Sequence, residues 1–175
     1  MSEKHKICML GATGVGKTSL VTRFVYRTFS DAYQTTIGVA IQRKRARCNG
    51  REIDFILWDL SGEDEFQSVG LSYTRGASGF LVVVDGTRRE TVDVGLRLQA
   101  AARAIAGDVP SVFVLNKADL VGTWELDAGA EAELRRASTA LFRTSAKTGA
   151  GVEEAFCALA NGMGGDVEPL RGGAR

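Results

Sequence analysis

The residues with the most chemistry to offer are Gly11-Ala12-Thr13-Gly14-Val15-Gly16-Lys17-Thr18, which fit the spacing G-x-x-x-x-G-K-[ST]. Glycines at 11, 14 and 16 let the backbone curl until successive N–H groups converge, a geometry that attracts phosphate oxygens. A helix starting at that point adds the partial positive charge of its N-terminus. Lys17 supplies a point charge for β- and γ-phosphates, and the Thr18 hydroxyl is a hard oxygen donor suited to Mg²⁺. Thr13, Gly14, Val15, Gly16, Lys17, Thr18 and Ser19 are therefore expected to bind a nucleotide, with Thr18 on the metal. A glycine-rich turn with a surface lysine is the bland alternative. The apolar run before the loop and the helical pattern after it argue against that alternative. The loop leaves the base unspecified.

The base is addressed further along, by Asn116-Lys117-Ala118-Asp119 after the apolar run ending at Leu115. An aspartate there can accept two hydrogen bonds, from the guanine N1–H and the exocyclic amine. Adenine has no matching donor pair and would leave the carboxylate unpaired. Asn116 can reach the base edge, and the Lys117 stem can cover one face of the rings. Thr144-Ser145-Ala146-Lys147 follows the next strand, and backbone N–H groups at Ser145, Ala146 and Lys147 can bind the guanine carbonyl oxygen.

These segments need a scaffold, and the hydrophobic pattern describes one. Lys6 to Leu10 reads as a strand, and Lys17 to about Arg27 as a helix with Leu20, Val21, Phe24 and Val25 on one face. Val39 to Cys48 and Glu52 to Trp58 read as strands flanking Asn49-Gly50, a hairpin signal. Phe80 to Val84 and Val112 to Leu115 are continuous apolar runs, as in strands covered on both sides. Val94, Leu98, Ala101 and Ile105 recur at helical spacing, as do Val152, Phe156, Leu159 and Met163. Alternating strands and helices predict an α/β fold: a mostly parallel sheet of about six strands, one antiparallel edge hairpin, and helices on both faces. Ligands of such sheets lie at the carboxyl ends of the strands, where the motifs fall.

With these motifs in this order, the chain resembles the Ras superfamily of small GTPases, closest to its Rab-like branch, from about Lys4 to Met163. Tyr73-Thr-Arg-Gly-Ala-Ser-Gly-Phe-Leu-Val-Val-Val-Asp85 is similar to the Rab stretch after the second switch. The resemblance implies a P-loop NTPase fold with a GTPase domain over 1–163 and a loosely ordered tail over 164–175. It places Phe29 against the guanine face and Tyr33 over the phosphates. Within Thr35-Thr36-Ile37-Gly38 it puts Thr36 on Mg²⁺ and the γ-phosphate. Asp59-Leu60-Ser61-Gly62 resembles the second switch, with Asp59 holding magnesium through a water and the Gly62 N–H meeting the γ-phosphate. Contacts that only a triphosphate supplies would order both switches with GTP and release them with GDP. Effector, exchange-factor and GTPase-activating proteins are the implied partners.

One position departs from the family. A glutamine that orients the attacking water is replaced by Glu63, followed by Asp64 and Glu65. An ionised carboxylate cannot donate a hydrogen bond to the γ-phosphate and adds negative charge beside it. With Lys17, Thr36, Gly62 and Glu63 as the catalytic set, the expectation is slow hydrolysis of GTP. The alternative is a GTP/GDP-binding module that does not hydrolyse.

Net charge is +1, from 22 Lys+Arg against 21 Asp+Glu, so no global field recruits nucleic acid. The basic cluster Arg43-Lys44-Arg45-Ala46-Arg47 reads as an edge-strand guard against aggregation more readily than as a docking site for an acidic partner. The three cysteines, Cys8, Cys48 and Cys157, are far apart and support neither a disulfide framework nor a zinc site. Cys8 and Cys157 are expected in the core, and a reducing cytoplasm follows. Ser2 in place of glycine, and a C-terminus without cysteine, predict no lipid anchor. The chain is expected to be a monomer.

Overall fold

The computed structural model describes residues 2–32, 36–60 and 67–164. Its elements in order are β1 (Glu3–Leu10), α1 (Lys17–Tyr26), β2 (Val39–Cys48), β3 (Arg51–Leu60), α2 (Gln67–Ser72) and β4 (Gly79–Asp85). There follow α3 (Glu90–Ala106), β5 (Ser111–Asn116), a 3₁₀ turn (Ala118–Thr123), α4 (Ala128–Arg136), β6 (Ala140–Arg143) and α5 (Val152–Met163). The strands form one six-stranded sheet in the order β2-β3-β1-β4-β5-β6. Only the β2–β3 pair is antiparallel, so the expected α/β architecture with an antiparallel edge hairpin is what the chain adopts.

The hairpin turn follows from its two residues. Asn49 and Gly50 sit at φ 49° and 80°, the left-handed pair that matches the twist of the flanking strands. On the central strands, side chains alternate between two apolar clusters. Ile7, Met9, Phe55, Leu57, Leu81 and Val83 pack with residues of α1 and α5. Cys8, Leu10, Phe80, Val82, Val84 and Phe113 pack on the opposite face with residues of α3 and α4. Phe24 of α1 stacks on Phe156 of α5 with ring centroids 4.0 Å apart, and meets Phe55 of β3 edge-on.

Two expectations are refined, and one helix is added that the sequence did not signal. The buried residues of α3 are Thr91, Val92, Gly95, Gln99 and Ala102. Of the residues at helical spacing, Val94 and Leu98 pack partly buried against the two clusters, Ala101 is half-buried and Ile105 is exposed. Gly95 explains the close approach, since a Cβ there would lie 3.3 Å from Val82 Cγ1, and its absence lets the helix settle against β4. Gln99, polar yet buried, is satisfied by donating to the Ala137 carbonyl at 2.7 Å. Helix α4 carried no periodic apolar signal. Its start is set by Asp127, whose carboxylate accepts from the Ala130 N–H at 2.8 Å. Finally, Cys48 and Cys157 form a disulfide with Cα atoms 5.3 Å apart, against the expectation of no disulfide. Their separation of 109 residues hides the fact that the hairpin end of β2 packs beside α5. Cys8 is free and buried, and burial raises its thiol pKa to about 12.

Candidate functional site

The loop between β1 and α1 is drawn tight by its own carbonyls and their neighbours. The Lys17 ammonium, 6% exposed, donates to the carbonyls of Gly11 and Ala12 at 2.8 and 2.9 Å. Burial pushes its pKa down to about 8, against the pull of Asp59 and with a push from Arg88. An ammonium so placed is desolvated and close-held, and an anion brought beside it would relieve the cost of its burial. Gly16 has φ 107° and lies so close to the base segment that a Cβ would meet Asn116 Nδ2 at 2.2 Å. Only glycine fits there.

Three oxygen-bearing side chains converge beside Lys17. Thr18 Oγ1 donates to Asp59 Oδ2 at 2.6 Å and lies 2.5 Å from Thr36 Oγ1. Thr36 Oγ1 is 3.4 Å from the same carboxylate oxygen. The other oxygen, Asp59 Oδ1, is buried without a hydrogen-bond partner among the described residues. Burial raises the Asp59 pKa, partly offset by Thr18, Lys17 and Thr36. Two hydroxyls and an under-satisfied carboxylate form an all-oxygen donor set, the chemistry a hard divalent cation such as Mg²⁺ requires. The residues fit that ion.

Across the sheet, Asn116 ends β5 and is 2% exposed. Its Nδ2 donates to the Val15 carbonyl at 3.0 Å, and its Oδ1 accepts from Thr144 Oγ1 and the Ala146 N–H at 3.2 and 3.3 Å. The side chain thus braces two loops, and any contact with a base edge is additional to that bracing. Lys117 sits at φ 69°, with its ammonium 2.7 Å from Asp85 Oδ2 and 3.3 Å from the Gly14 carbonyl. Ser145 Oγ donates to Asp119 Oδ1 at 2.7 Å and accepts from the Thr148 N–H at 3.1 Å, which fixes one oxygen of the aspartate. Phe29 is half-buried against the α1–α5 cluster. Tyr33, Thr35, Gly62 and Glu63, with Asp64 and Glu65, lie outside the described residues.

The structure also adds residues that the motifs did not point to. Arg23 of α1 donates to the carbonyls of Ala146 and Lys147 at 2.7 and 2.5 Å, joining the first helix to the last loop of the site. Trp124 donates its indole N–H to the Lys117 carbonyl at 2.9 Å and lies over Gly86, where a Cβ would strike the ring at 2.2 Å. Asp85, fully buried at the end of β4, collects Lys117, Arg88 and Thr87. Burial alone would raise its pKa, but the bonds from Lys117 and Thr87 outweigh that and hold it below the ordinary carboxylate value. The signal that could have found Arg88 and Asp85 is positional, because Asp85 ends a central strand and Arg88 lies just past it.

Two comparisons with known proteins identify what the chain is similar to. A family model described as "Ras family" matches residues 6–164. A relative from Dictyostelium discoideum, "Ras-related protein Rab-1A", is 36% identical over 157 residues, covering 89% of this chain and 78% of its own.

Proposed function

Because the chain belongs to the Ras family as a Rab-like, GTP-binding small GTPase, we propose that it is a Mg²⁺-dependent switch that hydrolyses GTP slowly and signals through two loops. The observation that carries this reading is the meeting of Thr18, Thr36 and Asp59 beside the buried Lys17. Thr36 and Asp59 come from segments far from the phosphate loop in sequence. Their convergence makes sense where metal and phosphate must be sensed together. Mg²⁺ held by Thr18, Thr36 and Asp59 would neutralise charge on the transferring phosphoryl group.

Thr13 to Ser19 would hold the phosphates, while Asn116, Lys117 and Asp119, with Ser145, Ala146 and Lys147, would read the guanine and Phe29 would pack on it. Tyr33, Gly62 and Glu63 are assigned by their place in the pattern, with Gly62 as the γ-phosphate sensor and Glu63 as the cause of slow turnover. Residues 1–163 form the GTPase domain in this reading, and 164–175 a tail. Effectors, exchange factors and GTPase-activating proteins are the proposed partners.

No helix among the described residues is long and apolar enough to cross a membrane. We place the protein in the cytoplasm.

The competing reading, a module that binds GTP without hydrolysing it, is favoured by Glu63 alone. Incubating the purified protein with GTP and Mg²⁺, then separating nucleotides by chromatography, discriminates between them. Slow formation of GDP that stops when the metal is chelated is the expected result. No turnover over hours, even with cell extract added, would establish the binding module instead.

A further inference from the structure

Successive peptide units of the phosphate loop are each held from behind by a side chain. The Val15 carbonyl accepts from Asn116, the Gly14 carbonyl from Lys117, and the Thr13 carbonyl from Arg88 Nη2 at 2.8 Å. A peptide unit is planar and trans, so its C=O and the following N–H point in opposite directions. Fixing the carbonyls of Thr13, Gly14 and Val15 on one side therefore turns the N–H groups of Gly14, Val15 and Gly16 to the other. That is how a nest of backbone donors for an anion is made.

Asn116 and Lys117 belong to the base-reading segment, but Arg88 belongs to no motif. Resting on the reading of the site as a nucleotide pocket, we propose that Arg88 is a positioning residue for the β- and γ-phosphates: it orients the Gly14 N–H through the Thr13 carbonyl and ties that peptide to Asp85.

The arginine is built for this. Its Nε donates to Asp85 Oδ2 at 3.1 Å while Nη2 reaches the loop, so one guanidinium spans both partners. Its backbone is fixed as well. The Arg88 N–H donates to the Asp85 carbonyl at 3.0 Å, and the Arg88 carbonyl accepts from Thr91 Oγ1 at 2.7 Å. Asp85 Oδ2 also holds Lys117, so the supports of Thr13 and Gly14 share one carboxylate. The side chain is only partly buried, at 37% exposed. Arg88 therefore favours the more highly charged nucleotides through one aimed N–H.

The test is competition against a fluorescent GDP analogue with Mg²⁺, using GTP, GDP and GMP as competitors. Losing one hydrogen bond to a charged group costs about tenfold to a hundredfold in affinity. Arg88→Ala should therefore weaken GTP and GDP by about that factor, and GMP by less than about threefold. Arg88→Lys keeps the charge but cannot span Asp85 and Thr13, so it should fall between wild type and alanine. The lysine variant decides the matter on the same GDP-to-GMP ratio if the alanine variant does not fold. Equal losses for GDP and GMP, as from a merely structural residue, would overturn the proposal, and so would no loss at all. If wild type takes up no guanine nucleotide, the underlying reading fails with it. If wild type binds and the variants match it, only the role of Arg88 is lost.

Discussion

Glu63 replaces a glutamine that the family resemblance calls for, and its effect belongs to one side chain. Unit charges about 5 Å apart in an effective dielectric near 20 repel by roughly 3 kcal/mol, enough to slow phosphoryl transfer by up to about a hundredfold. Glu63→Gln should hydrolyse bound GTP faster than wild type in single-turnover assays. Equal rates, or a slower variant, would contradict the assignment of Glu63 as the brake. Asp119 is the second residue with a sharp expectation. Its carboxylate, pinned by Ser145, is the group assigned to the two guanine donors. Asp119→Ala should weaken GDP by about a hundredfold or more, two charge-assisted hydrogen bonds being lost together. Titrating GDP into the variant by calorimetry would measure this, and an unchanged affinity would remove Asp119 from the base pocket.

At the scale of elements, the edge hairpin shows what the basic cluster pairs with. Arg43 and Arg45 of β2 both pair with Asp54 of β3, at 2.8 and 3.0 Å, and Ser2 donates to the same carboxylate at 2.9 Å. Arg47 faces Glu52 at 3.8 Å. Three of the four cations of the cluster have a carboxylate partner within the hairpin, two of them sharing Asp54, which is in keeping with the reading of an edge guard. The bonds from Arg45 and Arg43 hold the Asp54 pKa well below its ordinary value. A carboxylate with a depressed folded pKa contributes stability that is complete above its unfolded value, near 3.8, and lost as pH falls toward the depressed one. Thermal unfolding followed downward from pH 5 should therefore show a loss of stability that Asp54→Asn reduces. The same pH slope in both proteins would show that the pairing does not reach the folding equilibrium. The strands themselves were legible because apolar runs and an Asn-Gly turn are local signals. Helix α4 was not, since its start depends on a single capping aspartate and its composition is largely polar. The buried face of α3 was read only in part for a related reason: periodicity counts apolar residues and passes over Gly95 and Gln99, which are buried there.

The molecule as a whole is tied by a contact that no local pattern could disclose. Cys48 and Cys157 join the hairpin to the last helix across 109 residues. Closing a loop of that length stabilises a fold by about 2–4 kcal/mol, which is on the order of 5–15 °C in unfolding temperature for a chain of this size. Oxidised protein should melt above reduced protein by that interval, and Cys157→Ser should abolish the difference. Identical melting curves for oxidised and reduced wild type would show that the bond adds nothing to stability. In the candidate site, the loop after β1 and the segment after β5 were picked out by the sequence because each is a continuous run. The Asp85–Arg88–Lys117 hub and the reach of Arg23 were not, because they arise only when the ends of separate strands are brought side by side. The proposed function rests on that assembly of a lysine-bearing loop with an aspartate-bearing one. Calorimetric titration of the nucleotide-free protein with GDP and with ADP, each with Mg²⁺, tests it most directly. The account predicts tight binding of GDP and at least about a hundredfold weaker binding of ADP; equal affinities for the two would contradict it.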